Sequence, residues 1–329
     1  MERIQWFNES VAQKCFPTRR VVWNLVSVIM IGTIGWCGIF ANTVTIFVLY
    51  RLHKLNQPAT SYFILMLLAL FDDIASVATV MYNQLTWVLK ISRHGKMGLF
   101  LDSSKAAPEL YIAGNLLLKW TSYTRNSLTV LVTIDRAFNI CFPFKAKRLW
   151  KLKQCNVVFT AFFIVWTALF CFRAQDRVIV YIINECTFGR RMLGVKTIYN
   201  QHRTVSLLQN IFSTYIPVAL VPMLNLIMVL SLKRHGEDRN KLTGPRTDNQ
   251  NKQTSGASRM VFIASAIFVV LNLPDIVYNI LNLMPNLVIW PLLLTNDVCQ
   301  ALNSSVNGIF YFIYSPKFKQ ELKSLWGSY

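Results

Sequence analysis

The chain has 329 residues and a mass of 37.9 kDa; 53% of it is hydrophobic and 15% charged, against about 25% charge in an ordinary soluble domain. A mean hydropathy of +0.38 and repeated long apolar runs argue against a soluble enzyme. The net charge of +19 sits largely between the apolar runs, so it reads as charge flanking a lipid bilayer and not as a nucleic-acid surface.

The first 20 residues lack the apolar centre of a cleavable leader, so residues 1–21 are expected as an extracellular amino-terminal segment, with the first span directing insertion. Asn8, in the triplet Asn8-Glu9-Ser10, is a candidate glycosylation acceptor that fits this placement. A spanning helix needs about 20 mostly apolar residues. Stretches at about 22–50, 60–89, 107–141, 156–173, 206–232, 258–283 and 288–314 meet that requirement. The expected fold is therefore an all-α membrane protein, a seven-transmembrane helix bundle over residues 22–314. The polar stretch 233–259 is expected as a flexible third cytoplasmic loop. In the tail, residues 315–329, Phe318, Leu322, Leu325 and Trp326 recur at helical spacing between Lys317, Lys319 and Lys323, which predicts an amphipathic cytoplasmic helix lying on the membrane. Loops on the side of the tail hold 17 Lys and Arg against 14 on the other side, which puts the carboxyl terminus in the cytoplasm.

Ionisable groups inside a bilayer cost several kcal/mol unless they face a bundle interior, so each one marks an interior surface. The second span holds Asp72 near its middle; the third holds Lys119, Arg125 and the pair Asp135-Arg136 at its inner end; the sixth and seventh hold Asp275 and Asp297. Asn42 lies in the first span, and Asn303, Asn307 and Tyr311 form an i, i+4, i+8 stripe on the seventh. Arg125 stands 11 residues before Arg136, three turns deeper on the same face.

These residues resemble the rhodopsin-like G-protein-coupled receptors along nearly the whole chain. The resemblance rests on Asn42 in IFANTV, Leu68-Ala69-Leu70-Phe71-Asp72, TIDRAFNICFPFKAK at the end of the third span, Trp166, Pro217 or Pro222, Phe268 with Pro274, and NSSVNGIFY over 303–311. The fifth and seventh spans are also similar to invertebrate neuropeptide receptors of the FMRFamide type. By this resemblance Asp135, Arg136, Asn307 and Tyr311 are the switch that meets a heterotrimeric G-protein. Asn42, Asp72, Arg125 and Asn303 form a buried polar network. At the level where the family holds a sodium ion, the Arg125 guanidinium is expected to pair with Asp72 and replace that ion, with Asn303 and Asn307 adding hydrogen bonds.

The departures are equally specific. Asp-Arg is followed by Ala137, Gly308 stands for the seventh-span proline, and Leu271-Asn272-Leu273-Pro274 lacks the sixth-span aromatic. No cysteine lies between Cys37 and Cys141, and Tyr111 occupies the place from which the family's disulfide starts. Cys186 is then either free or bonded to Cys15, which would tie the amino-terminal segment over the pocket.

The ligand pocket is expected between the outer halves of the third, fifth, sixth and seventh spans, with Lys119, Ser122, Asn272, Asp275, Asn279 and Asp297 as its polar lining, joined by Leu118, Asn296 and Gln300. Leu118 where amine receptors carry an acid argues against a monoamine, and the absence of Lys between 252 and 317 excludes retinal. A peptide with a cationic residue and an amidated end fits acids at Asp275 or Asp297 and amides at Asn272 or Asn279. In a second arrangement Lys119 pairs with Asp275 internally.

Rival functions lack their signatures. A seven-span zinc hydrolase needs a His cluster, and the histidines at 53, 94, 202 and 235 fall in or beside loops on different sides, so no catalytic residues and no metal are expected. The seven cysteines show no CxxC spacing, and no cofactor is expected. A transporter or channel would show repeated halves, and none is found. The expectation is a plasma-membrane receptor for an extracellular peptide-like ligand that activates a heterotrimeric G-protein. The alternative, given Ala137, Asn272 and Gly308, is a non-signalling or decoy receptor.

Overall fold

The computed structural model describes residues 18–55, 60–92, 106–142, 144–146, 152–174, 177–182, 192–197, 203–243, 248–281 and 290–326. The spans are α1 (Thr18–Leu55), α2 (Thr60–Ser92), α3 (Ala106–Cys141), α4 (Leu152–Ala174), a fifth span built of α5 (Arg203–Asn210), a π-helical turn (Ile211–Tyr215) and α6 (Ile216–Thr243), then α7 (Asp248–Leu281) as the sixth and α8 (Trp290–Tyr314) as the seventh. The amphipathic tail follows as α9 (Pro316–Trp326). Among the described residues, five of these helices are long and apolar enough to cross a membrane by length and composition alone. The third span carries Lys119, Arg125, Asp135 and Arg136, which lowers its apolar character, and it turns Arg125 and Asp135 inward.

A bilayer offers no water to backbone or hydroxyl groups, so helices must satisfy both internally. The Ser and Thr side chains do this by bonding back one turn: Thr45 to the Ala41 carbonyl, Ser76 to Asp72, Thr121 to Leu117, Thr124 to Trp120, and Ser127 to Tyr123. Large apolar side chains point the other way: Trp36, Phe40 and Phe47 face outward from the bundle, whereas Asn42 and Asp72 are wholly buried.

Two apolar clusters hold the interior. Val48, Leu49, Leu52, Leu65, Tyr311 and Phe318 join the first, second and seventh spans to α9, with Leu322 and Leu325 packed on the rim. The Arg51 guanidinium adds an ion pair to Glu321 at 3.0 Å. Ile64, Leu68, Phe71, Leu128, Leu131 and Cys155 join the second, third and fourth spans. Edge-to-face rings Phe71, Trp120 and Phe163 lie beside it. The fourth span is peripheral, fastened by Trp166 Nε1 donating to Ser127 Oγ at 2.8 Å and Trp120 Nε1 donating to Thr167 Oγ1 at 3.3 Å.

The structure departs from the sequence reading in two places. Residues 233–259, expected as a flexible loop, are helical up to Thr243 and again from Asp248, because Lys, Arg, Glu and Gln are good helix formers however polar the segment. Beyond the helices, β1 (Arg177–Ile182) pairs antiparallel with β2 (Met192–Thr197) in the loop after the fourth span, from Arg177 opposite Thr197 to Ile182 opposite Met192. Its Val- and Ile-rich wording, Arg177-Val178-Ile179-Val180-Tyr181-Ile182, suits a strand. Asn8, Cys15 and Cys186 lie outside the described residues.

Candidate functional site

At mid-membrane, Asp72 is fully buried and Arg125 is 2% exposed. Arg125 Nε stands 3.9 Å from Asp72 Oδ1, and Asn307 Nδ2 donates to Asp72 Oδ2 at 2.7 Å. The expected ion pair is therefore present as a charge contact, with a hydrogen bond from the seventh span. Asn303 does not add the second one: its Nδ2 has no hydrogen-bond partner among the described residues. One turn separates the two asparagines, and only Asn307 lies at the depth of the carboxylate. Asn42 does not touch Asp72 either; its Nδ2 donates to the Ser304 carbonyl at 2.8 Å.

Close packing of the first and seventh spans makes that bond reachable. A Cβ at Gly308 would stand 3.0 Å from Thr45 Oγ1 and 3.1 Å from the Ala41 carbonyl oxygen, and a Cβ at Gly38 would collide with the Ser305 side chain. Glycine at these two places lets the backbones approach. The Ser305 hydroxyl then donates to the Ile34 carbonyl across the seam at 3.1 Å.

Near the carboxyl-terminal end of the third span, Asp135 is buried and accepts a hydrogen bond from Ser61 Oγ at 2.6 Å. Arg136 is half-buried, and among the described residues no ion pair joins it to Asp135. Tyr311 is buried against Phe318 of α9, ring centroids 6.2 Å apart.

The part of the bundle around the start of the fifth span is organised by a proline. Pro217 has no N–H to give the Ser213 carbonyl four residues back. The turn before it widens, so that the Ile216 N–H reaches the Ile211 carbonyl. Asn126 Nδ2 donates to the freed Ser213 oxygen at 2.8 Å. In this widened turn Thr214 is buried and its hydroxyl donates to Asp275 Oδ2 at 3.3 Å. Asp275 Oδ1 accepts from Asn296 Nδ2 at 3.4 Å and Gln300 Nε2 at 3.5 Å. One turn outward on both helices, Asn210 Nδ2 donates to Asn279 Oδ1 at 3.3 Å.

Of the expected lining, Asp275 and Asn279 thus sit on one ladder between the fifth and sixth spans. Asn272 is buried but donates to the Phe268 carbonyl of its own helix. Ser122 is buried on the third span, while Lys119 and Asp297 are half-buried. Among the described residues no ion pair joins Lys119 to Asp275, whose hydrogen-bond donors there are the three neutral groups above. Sequence reasoning missed Ser61, Asn126 and Thr214. Asn126 was findable, because a proline at 217 predicts a free carbonyl at 213; Ser61, at the start of a span, carries no periodic signal.

Separate buried polar groups among packed helices fit many membrane proteins, and the comparison with known families decides among them. Residues 28–328 match the family described as serpentine type seven-transmembrane GPCR chemoreceptor Srw. The chain belongs to that family. As a relative of the Srw chemoreceptors it is a multi-pass membrane receptor. The FMRFamide receptor of Drosophila melanogaster is similar to it, 20% identical over 304 residues, which is 89% of this chain and 52% of that receptor. The chain thus spans about half the length of the curated relative it matches. Among the described residues, no group of three or more His, Cys, Asp or Glu converges.

Proposed function

We propose that this Srw-type receptor resides in the plasma membrane with its amino terminus outside, binds an extracellular peptide-like ligand in the outer half of the bundle, and activates a heterotrimeric G-protein at its cytoplasmic face. The observation that carries the reading is the buried polar cluster of Asp72, Arg125 and Asn307, with the Asp275 group of Thr214, Asn296 and Gln300 on one side of it and Asp135, Arg136 and Tyr311 on the other, in a member of a GPCR family. The similarity to a receptor named for FMRFamide supports a peptide ligand. On this reading residues 1–21 are extracellular, 22–314 form the receptor domain and 315–329 the cytoplasmic tail.

Ligand binding shifts the receptor between two states only by its differential affinity for them. Arg136, half-buried and without an ion pair among the described residues, is the group available to the G-protein. Asn307 and Tyr311, on one stripe of the seventh span, pass the change inward from Asp72. The test is second-messenger output in cells expressing the chain, challenged with amidated peptides including FMRFamide, beside Arg136→Ala at equal surface expression. A peptide response lost in the variant is expected. A chain that reaches the surface and is silent to every peptide overturns the peptide reading, and a response that survives Arg136→Ala overturns the role given to that residue.

A further inference from the structure

Asp275 is 8% exposed, and among the described residues every hydrogen bond its carboxylate accepts comes from a neutral group at 3.3 to 3.5 Å. Charge-assisted hydrogen bonds to a carboxylate ordinarily close to about 2.7–2.9 Å. Three donors on two other spans therefore surround this carboxylate without closing on it. Among the described residues no cation stands within ion-pair distance of it. The Arg125 guanidinium is in ion-pair contact with Asp72 and not with Asp275. Asp72, Arg125 and Asp275 are thus two buried acids and one buried base, with the base committed to Asp72. A buried carboxylate is costly unless paired and hydrogen-bonded.

The place is built as well as charged. Three spans converge on it: the π turn of the fifth brings Thr214, the sixth Asp275, and the seventh Asn296 and Gln300, themselves linked at 3.4 Å. Single π turns inside helices recur at functional sites. On the outer side the next rung is a pair of carboxamides, Asn210 and Asn279. A ligand arriving from outside meets amides first and the acid one turn deeper.

We propose that Asp275 is the counter-ion for a guanidinium or ammonium group of the ligand, with Thr214, Asn296 and Gln300 holding the carboxylate in place and the Asn210–Asn279 pair meeting the ligand's neighbouring amide. This rests on the reading of the chain as a peptide receptor and names the chemical class its deep subsite takes. It also separates two acids: Asp275 is the binding carboxylate, and Asp297, half-buried one residue beyond Asn296, is not.

The experiment uses the full chain in lipid nanodiscs and two pools of amidated tetrapeptides, identical except that each arginine of one pool is citrulline in the other, which keeps the shape and removes the charge. Peptides retained by the receptor are counted by mass spectrometry. The arginine pool is expected to be retained about tenfold or more over the citrulline pool, the range of a hydrogen bond to a charged group. Asp275→Asn is expected to erase that preference, while Asp275→Glu and Asp297→Asn keep it. Equal retention of the two pools by the parent chain overturns the proposal even if no variant folds, and so does a preference that survives Asp275→Asn. Because retention needs no G-protein, silence in the second-messenger assay and failure here are separate results: peptides retained without charge preference leave the peptide reading standing and remove only the role of Asp275.

Discussion

Arg125 and Asp72 meet at 3.9 Å through Nε and Oδ1, both groups buried on neighbouring spans at the depth where the resemblance places a sodium ion. Removing either partner leaves the other charge buried and unpaired, a loss of about 3–5 kcal/mol. Arg125→Met and Asp72→Asn should each lower the unfolding temperature sharply, and the double variant should fall far less than the sum. Peptide affinity should be the same in sodium and in N-methylglucamine buffers for the parent, with sodium dependence appearing in Arg125→Met. Additive single effects, or a variant as indifferent to sodium as the parent, would count against the guanidinium standing in for the ion.

Asn126 and Pro217 form a second coupled pair through the Ser213 carbonyl. Asn126→Ala should cost about 1–3 kcal/mol by leaving a buried oxygen unsatisfied. Pro217→Ala restores an N–H that can reach that oxygen, so the same substitution made in a Pro217→Ala background should cost much less. Thermal unfolding of the four chains measures the coupling; an unchanged cost would show that the Asn126 bond is not answering the proline.

Ser61 holds one oxygen of Asp135 at 2.6 Å and so competes with Arg136 for it. Ser61→Ala removes one partner of the carboxylate, which should favour its pairing with Arg136 and lower basal and ligand-driven second-messenger output, by about tenfold or more if the whole of a charged hydrogen bond is transferred. Surface expression should be unchanged. Raised output would reverse the sign of the argument.

The seam between the first and seventh spans should be intolerant of one methyl group. Gly38→Ala must displace the Ser305 side chain and Gly308→Ala must push against Thr45 and the Ala41 carbonyl. Overpacking of this kind costs about 1–3 kcal/mol. Gly38→Ala should be the worse of the two, since its clash is the deeper, as measured by unfolding temperature in nanodiscs.

The spans were legible because a bilayer forces apolar runs of spanning length, and the Arg125–Asp72 contact because two opposite charges at one depth have nowhere else to go. Residues 233–259 were misread because polarity reports contact with water and says nothing of backbone state: Lys233, Arg234 and Glu237 continue a helix as well as Leu does. The Asn303–Asn307 stripe identified the right face of the seventh span, yet spacing alone does not fix how far a helix slides along its axis, so it credited Asn303 with a bond that only Asn307 makes. The preference of Asp275 for Thr214 over Lys119 depended on a π turn, which rotates one side chain inward and has no signature beyond the proline that follows it.

The bond from Asn42 to the Ser304 carbonyl joins residues 262 positions apart, and Ser305 reaches Ile34 across 271. At ribosomal rates of about 5–20 residues per second, the first span waits on the order of 10 to 50 s for the partner of its buried amide. During that interval Asp72 and Arg125, made close together, can neutralise each other, but Asn42 faces lipid or a chaperone. A chain interrupted before the seventh span keeps that amide unsatisfied. The glycine seam between the first and seventh spans therefore closes only after the seventh span has been made.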